Sequence, residues 1–434
     1  MAAINRLFTI GAGDTHLIIQ KISLPHFFHT PYLKVTMGWH FANFTGQAKH
    51  SSMQHILKPF LFLSITIISG FLPIYAQSSF KLKYNNSSVY AGIEVGSKGV
   101  KMSILEIGKN AQSRGAFNIL KDSSINSDFI SFSPPTFQAT LQGMSNLYST
   151  LIEQYKIQPK LVFTVVSSGV KIQAEKEDKT NWINNLIDSF KLKIKEPQRE
   201  VSVIDVMDEA RLSHLGIVPE TRRYNTFLID IGSGNTKGGY FPNGNTKDFK
   251  LFQLGWGTKS VANATEKRCS DDNGLSNFSK QLYRVLSEAE NSEIIYAVNE
   301  SGSYPKSDNV AFSGGIAWSV ATLMFPELID NSVVGVTFDQ VIKFNERLHD
   351  NYASLSDIAL VKNIIDKTLD KEAIAKEIKR VHQVFDQKSL MAGTGLLLKI
   401  MRQFQSIYEG KQFYLVKNGQ VGWISAYVDQ NVVK

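Results

Sequence analysis

Residues 227–241 read FLIDIGSGNTKGGYF. An apolar run, Phe227 to Ile229, leads into a carboxylate, Asp230. Bare and small polar residues follow: Gly232, Ser233, Gly234, Asn235 and Thr236. A second run starts at Gly238 and reaches Phe241. The pattern predicts strand, tight turn and strand. The same order occurs earlier, in VYAGIEVGSKGVKMSILEI, residues 89–107. There an apolar strand leads to Glu94, then Gly96, Ser97, Lys98 and Gly99, then a second apolar strand. Hairpins are therefore expected over 89–107 and over 225–241.

Around these stretches, strand and helix patterns alternate. Residues 137–157 carry apolar side chains at helical spacing. KLVFTVV, 160–166, has no polar break after Lys160 and predicts a buried strand. A helix is expected over about 176–191 and a strand over 201–206. DEARLSHLGI, 208–217, begins with acids, as helix starts do. Further helices are expected near 274–290, 314–324, 337–349, 372–386 and 388–404. The tail, FYLVKNGQVGWISAYV, reads as a closing strand pair. The alternation predicts an α/β body.

The chain has 434 residues, enough for two domains or more. Its 43% hydrophobic content argues against disorder. The single cysteine, Cys269, excludes an intramolecular disulfide framework and a cysteine metal cluster. Net charge is +8, and residues 1–76 contribute half of it, through Arg6, Lys21, Lys34, Lys49 and Lys58 against Asp14. The rest is mildly basic without a long Lys/Arg run, so no nucleic-acid partner is expected. Most histidines also lie in the first 76 residues, without zinc-type spacing.

MQHILKPFLFLSITIISGFLPIYAQSSF begins at Met53. A short basic head, an apolar run from Phe60 to Leu72 and small residues near Ala76 have the layout of a secretory signal peptide. The apolar run is too short for a spanning helix, which needs about 20 residues. Residues 53–76 are read as the signal segment and 1–52 as an over-extended N-terminus. The body is then periplasmic or secreted, with no stable membrane insertion after cleavage. Self-association into a homodimer is a further expectation that no residue pattern places.

Two strand–turn–strand loops in one α/β chain resemble the phosphate loops of the actin-like ATPase superfamily. Within it, the chain most resembles the exopolyphosphatase / guanosine pentaphosphatase family. VIDVMDEARLSHLG (203–216), LFQLGWGTKSVANATEK (251–267), NVAFSGGIAWSV (309–320) and SLMAGTGLLLKIM (389–401) carry the likeness, which spans roughly 89–428. It implies two related actin-like (ribonuclease H-like) domains, over 88–222 and 223–434, with the C-terminal tail returning to the first. A phosphate-binding cleft would lie between them. Glycine lets the backbone approach a ligand closely, and successive amides can then point at one anion. A carboxylate at the strand end suits Mg²⁺ or a metal-bound water.

The implied roles follow residue by residue. Glu209 activates water. Asp230, with Glu94, holds Mg²⁺ or another divalent cation. Gly96, Ser97, Lys98, Lys171, Gly232, Ser233, Gly234, Asn235, Thr236, Gly314 and Gly315 bind phosphate. His214, in the same helix as Glu209, reads as structural. The implied activity is release of terminal phosphate from polyphosphate or a nucleotide polyphosphate. Three departures weigh against it. Glu94 stands where the family usually has Asp, and Lys171 where it has Arg. Lys237 stands where it has Glu, which reverses a charge beside the phosphates. They keep open a second expectation, a catalytically impaired relative that binds a phosphorylated ligand or a protein partner. An apyrase-like nucleotide diphosphohydrolase is a third, disfavoured because those enzymes are usually held by disulfides.

Overall fold

Both expected hairpins form, and each begins a sheet. The computed structural model describes residues 80–405, 409–417 and 422–432. The signal segment read at 53–76 and the stretch 1–52 lie outside the described residues. Among the described residues, no helix is long and apolar enough to cross a membrane.

The first sheet contains β1 (Ser88–Gly96), β2 (Gly99–Ile107), β3 (Phe117–Asn126), β4 (Val162–Val166) and β5 (Val201–Val203), in the order β3-β2-β1-β4-β5. β1, β2 and β3 form an antiparallel meander, and β4 and β5 run parallel to β1. The second sheet contains β6 (Thr226–Ile231), β7 (Thr236–Tyr240), β8 (Lys250–Leu254), β9 (Asn309–Ser313), β10 (Val333–Val336) and β11 (Gln412–Val416). Its order is β10-β11-β9-β6-β7-β8. Here β6, β7 and β8 form the meander, β9 and β11 are the parallel strands, and β10 is an added antiparallel edge. The two sheets thus share one topology. Each opens with a hairpin whose first strand sits at the centre.

The longer helices are α1 (Pro134–Ser149), α2 (Ser168–Lys176), α3 (Thr180–Lys193), α4 (Val206–Ile217), α5 (Thr258–Cys269), α6 (Leu275–Ala289), α7 (Gly315–Met324), α8 (Phe338–Asp350), α9 (Lys371–Val384), α10 (Gln387–Arg402) and α11 (Gly422–Asn431). The helix expected over about 176–191 is two helices, α2 and α3. Asp178 between them takes a left-handed conformation, φ 54°, which a continuous helix cannot contain. The strand expected over 201–206 stops at Val203. The Asp205 side chain accepts the Asp208 amide at 2.8 Å and starts α4 instead.

The tail is a strand followed by a helix, β11 and α11, and not a strand pair. Trp423, Ile424, Tyr427 and Val428 are strand-like residues. They become helical because α11 is buried nearly all round, which also hides its period.

Each sheet has its own apolar core. Ile93, Val95, Met102, Met144, Leu186 and Phe190 lie in the first. Phe227, Ile229, Phe312, Ile316, Leu397 and Phe404 lie in the second. A third cluster joins them: Leu105, Val165, Leu212, Leu215, Phe241, Trp423, Ile424 and Val428. Here α4 and α11 pack on each other, α11 also meets β1, and α4 also meets β7. The α4–α11 crossing is close. A Cβ on Gly216 would lie 1.9 Å from the Gly422 carbonyl oxygen. Gly216→Ala is therefore expected to lower unfolding free energy by about 1–3 kcal/mol, as overpacking does. Urea denaturation measures it, and an unchanged midpoint would contradict this packing.

Candidate active site

The two hairpins align position by position. EVGSKGVK, 94–101, matches DIGSGNTK, 230–237, in the order acid, apolar residue, Gly-Ser, two turn residues, Val or Thr, Lys. Their registers also match. Glu94 faces Lys101 across β1 and β2, and Asp230 faces Lys237 across β6 and β7. Facing residues of a ladder share a sheet face. Each sheet therefore presents one carboxylate beside one ammonium at the end of its central strand.

Glu209 joins the second pair. It lies in the first turn of α4 and is 2% exposed. Its Oε1 is 2.7 Å from Lys237 Nζ. Its Oε2 accepts the Ser168 amide at 2.8 Å, at the N-terminus of α2, where a helix favours negative charge. Burial alone would push the Glu209 carboxyl up. The Lys237 charge and the hydrogen bonds from Lys237 and Ser168 outweigh it and hold the group below the usual carboxylate range. Lys237 Nζ also lies 3.9 Å from Asp230 Oδ2. Burial opposes its charge, but Glu209, Asp230 and Glu94 outweigh burial and push the ammonium well above the usual lysine range. Asp230 and Glu94 are both raised, chiefly by burial, with neighbouring acids adding and lysines opposing.

Gly314 completes this corner. The Ser313 hydroxyl donates to Asp230 Oδ1 at 3.1 Å. Gly314 has φ 93°, and a Cβ there would lie 2.3 Å from the Ile231 carbonyl oxygen. Only glycine fits. Gly315 serves packing, since its open side meets the Phe385 ring.

The second loop is tied to α5. The carbonyls of Gly232 and Ser233 accept the Thr258 and Lys259 amides at 3.0 and 2.7 Å. Gly232 N–H donates to the Asn235 carbonyl at 3.0 Å. The Thr236 hydroxyl is used internally, donating to the Trp256 carbonyl at 2.7 Å. The loop's carbonyls therefore point at α5. Ser233 and Gly234 lie at the tip, and nothing stands within 4 Å of where a Gly234 Cβ would be.

Further cations stand within electrostatic reach: Lys101 acts on both Glu94 and Asp230. Lys98, at the tip of the first hairpin, is held below the usual lysine range, first by partial burial of its ammonium and then by the like charges of Lys259 and Lys101. Lys98 comes from the first sheet and Lys259 from α5 of the second, and the two charges are close enough to repel each other. Gly96 and Ser97 line the same turn, and Ser97 Oγ lies beside Gly169 at the start of α2. Lys171, one turn into α2, makes no side-chain hydrogen bond or ion pair among the described residues.

The sequence reading missed Lys101 and Lys259. The EVGSKGVK/DIGSGNTK alignment signals Lys101. Only the fold brings Lys259 to the site. His214 is fully buried in α4. Its Nε2–H donates to the Thr226 carbonyl at 3.0 Å, and its ring stands against Phe241 and Phe249. It ties α4 to β6.

A divalent ion on Asp230 and Glu94 would meet the Lys237 ammonium beside its ligands. Both oxygens of Glu209 are already engaged. Among the described residues, no three His, Cys, Asp or Glu side chains are grouped to hold a metal ion. The acids present do not suit Mg²⁺.

Comparison with known proteins gives the fold a family. A member of the Ppx/GppA protein family from Aquifex aeolicus superposes over 80% of this chain and 100% of its own, at 16% identity and TM-score 0.55. The type II variant of an Aquifex aeolicus Ppx/GppA phosphatase covers 79% and 99%, at 16% identity and TM-score 0.52. The fold is that of the Ppx/GppA family. An exopolyphosphatase-like protein with this fold covers 80% of this chain and 100% of its own, at 14% identity and TM-score 0.55. No family model and no curated protein matches the sequence. At these identities the shared property is the Ppx/GppA architecture of two sheets in an α/β chain.

Two outcomes test the site. Lys237→Ala leaves the buried Glu209 charge unpaired and is expected to cost about 3–5 kcal/mol of stability. Adding Glu209→Gln to the same chain should recover much of that loss. A coupling below about 0.5 kcal/mol in the double-mutant cycle would contradict the pair. The second outcome concerns His214, whose ring is pushed down from 6.5 to about 4, chiefly by burial. The folded protein thus binds the proton less readily than the unfolded chain. This contribution is complete above pH 6.5 and is lost as pH falls toward 4, a total of about 3 kcal/mol. His214→Asn should flatten that part of the stability–pH curve in urea titrations.

Proposed function

We propose that the cleft binds polyphosphate or a nucleotide polyphosphate and releases its terminal phosphate by hydrolysis. The observation that carries this reading is convergence. Lys98 lies within electrostatic reach of Lys101 and of Lys259, and Lys101 within reach of Glu94 and Asp230, so cations from both sheets gather near the glycine turns and the buried acids. A phosphate chain is the ligand that such turns and such a cation group suit.

In the reaction, the oxygen of a water bonds to the terminal phosphorus while the bridging P–O bond breaks. The bond electrons go to the leaving oxygen of the shortened chain. The water proton passes to Glu209. Lys237 and Ser168 keep Glu209 ionised and fix its direction, so it can accept that proton. Lys98, Lys101 and Lys259 meet the charge on the equatorial and leaving oxygens. In phosphoryl transfer, positioning and charge stabilisation carry most of the catalysis.

A specific observation favours a second reading, binding without turnover. Both Glu209 oxygens already have partners, and a carboxyl held low is a weak base. Phosphate release from long-chain polyphosphate, ATP and guanosine pentaphosphate separates the two. Hydrolysis predicts release that falls by about 100-fold or more in Glu209→Gln. Tight binding with no release from any substrate would support the second reading. A folded protein that neither binds nor hydrolyses them would end both. A place outside the cytoplasm belongs to the same proposal, on the strength of residues 53–76, and cell fractionation tests it.

A further inference from the structure

We infer that Lys237 is a built-in cation that takes the place of a divalent metal, so that this cleft binds its phosphorylated ligand without one. Four observations support it. Lys237 Nζ lies 2.7 Å from Glu209 and 3.9 Å from Asp230, among the acids that a metal would need. Each Glu209 oxygen already has one partner, Oε1 the Lys237 ammonium and Oε2 the Ser168 amide. Asp230 Oδ1 accepts the Ser313 hydroxyl, so its other oxygen faces the ammonium. Lys237 itself is fixed in place. It pairs with Asp230 in the β6–β7 ladder and is 8% exposed, between the buried Thr236 and Gly238.

Magnesium demands near-octahedral oxygen ligands at about 2.0–2.1 Å. A metal meeting Asp230 and Glu209 at that distance would stand against the ammonium. The ammonium is the weaker charge but has three donors. Glu209 Oε1, at 2.7 Å, takes one, and Asp230, at 3.9 Å, is held by charge alone, leaving two donors for phosphate oxygens. The repeat within the chain points the same way. Lys101 occupies the matching position opposite Glu94, so each sheet carries its own cation at the end of its central strand.

The experiment uses the full chain in two measurements. The first needs no substrate. Mn²⁺ is titrated into the wild type and Lys237→Gln, and the free ion is read by electron paramagnetic resonance. Glutamine keeps most of the side-chain volume and removes the charge. The variant is expected to bind Mn²⁺ at least about tenfold more tightly than the wild type. Equal binding in a folded variant, or a tight wild-type site lost on Asp230→Asn, overturns the inference. The second measurement needs only the wild type, so it holds even if the variant fails to fold. Long-chain polyphosphate binding is compared in EDTA and in excess Mg²⁺. Equal affinity is expected, and loss of binding in EDTA overturns the inference. This second half rests on the function proposed above. No binding under either condition would end that function, and the Mn²⁺ comparison would still decide the role of Lys237.

Discussion

A lysine buried among carboxylates constrains everything around it. Burying either ion costs several kcal/mol, and only close pairing with satisfied hydrogen bonds offsets that cost. Lys237 and Glu209 meet at 2.7 Å, so β7 and α4 cannot drift apart. The other oxygen of Glu209 is held by the amide that opens α2. One carboxylate is thus gripped by the second sheet through Lys237 and by a helix of the first half through Ser168. Any hinge motion between the halves must stretch one of these contacts. The site is correspondingly preorganised, which suits charge stabilisation better than capture of a large ligand by closure.

The second organising fact is duplication. Both sheets follow one strand order, and both hairpins place an acid opposite a lysine. The copies have diverged at the turn. The first carries Lys98 at its tip. The second carries Gly234 and gives its carbonyls to α5, so its cation comes from Lys259 instead. Cationic charge therefore reaches the cleft by different routes from each half. The acids diverged too: Glu209 has no counterpart that the hairpins explain, because it comes from α4.

Much of this was legible in the chain. The hairpins, the buried strand at 162–166 and most helices announce themselves by period and by turn residues. The errors have local causes. Asp178 breaks a helix through a left-handed backbone that its residue type permits but does not advertise. Asp205 turns a strand into a helix start by capping it. The 422–431 segment is strand-like in composition and helical by burial, which one-dimensional patterns cannot separate. At the site, the glycine turns with Glu94 and Asp230 stand out by order and spacing, and Glu209 by the resemblance of 203–216 to the family's segment. What Lys237 does could not, because its meaning depends on Glu209, which lies in another element. Other contacts are equally silent in the sequence: the Thr236 hydroxyl donates to the Trp256 carbonyl, and the open side of Gly315 meets Phe385.

The crossing of α11 over α4 has a consequence for how the molecule is made. The first sheet and α4 emerge from the ribosome early. The helix that covers them arrives only after the entire second sheet. Until then Gly216 faces an empty groove, and the β1 surface at Gly92, where Ile424 will lie, is open to water and to other nascent chains. The first half is therefore not separable from the second by cutting the polypeptide near residue 222. It becomes complete only when a late segment doubles back. Such long-range closure slows folding, and it makes the early half dependent on protection during synthesis.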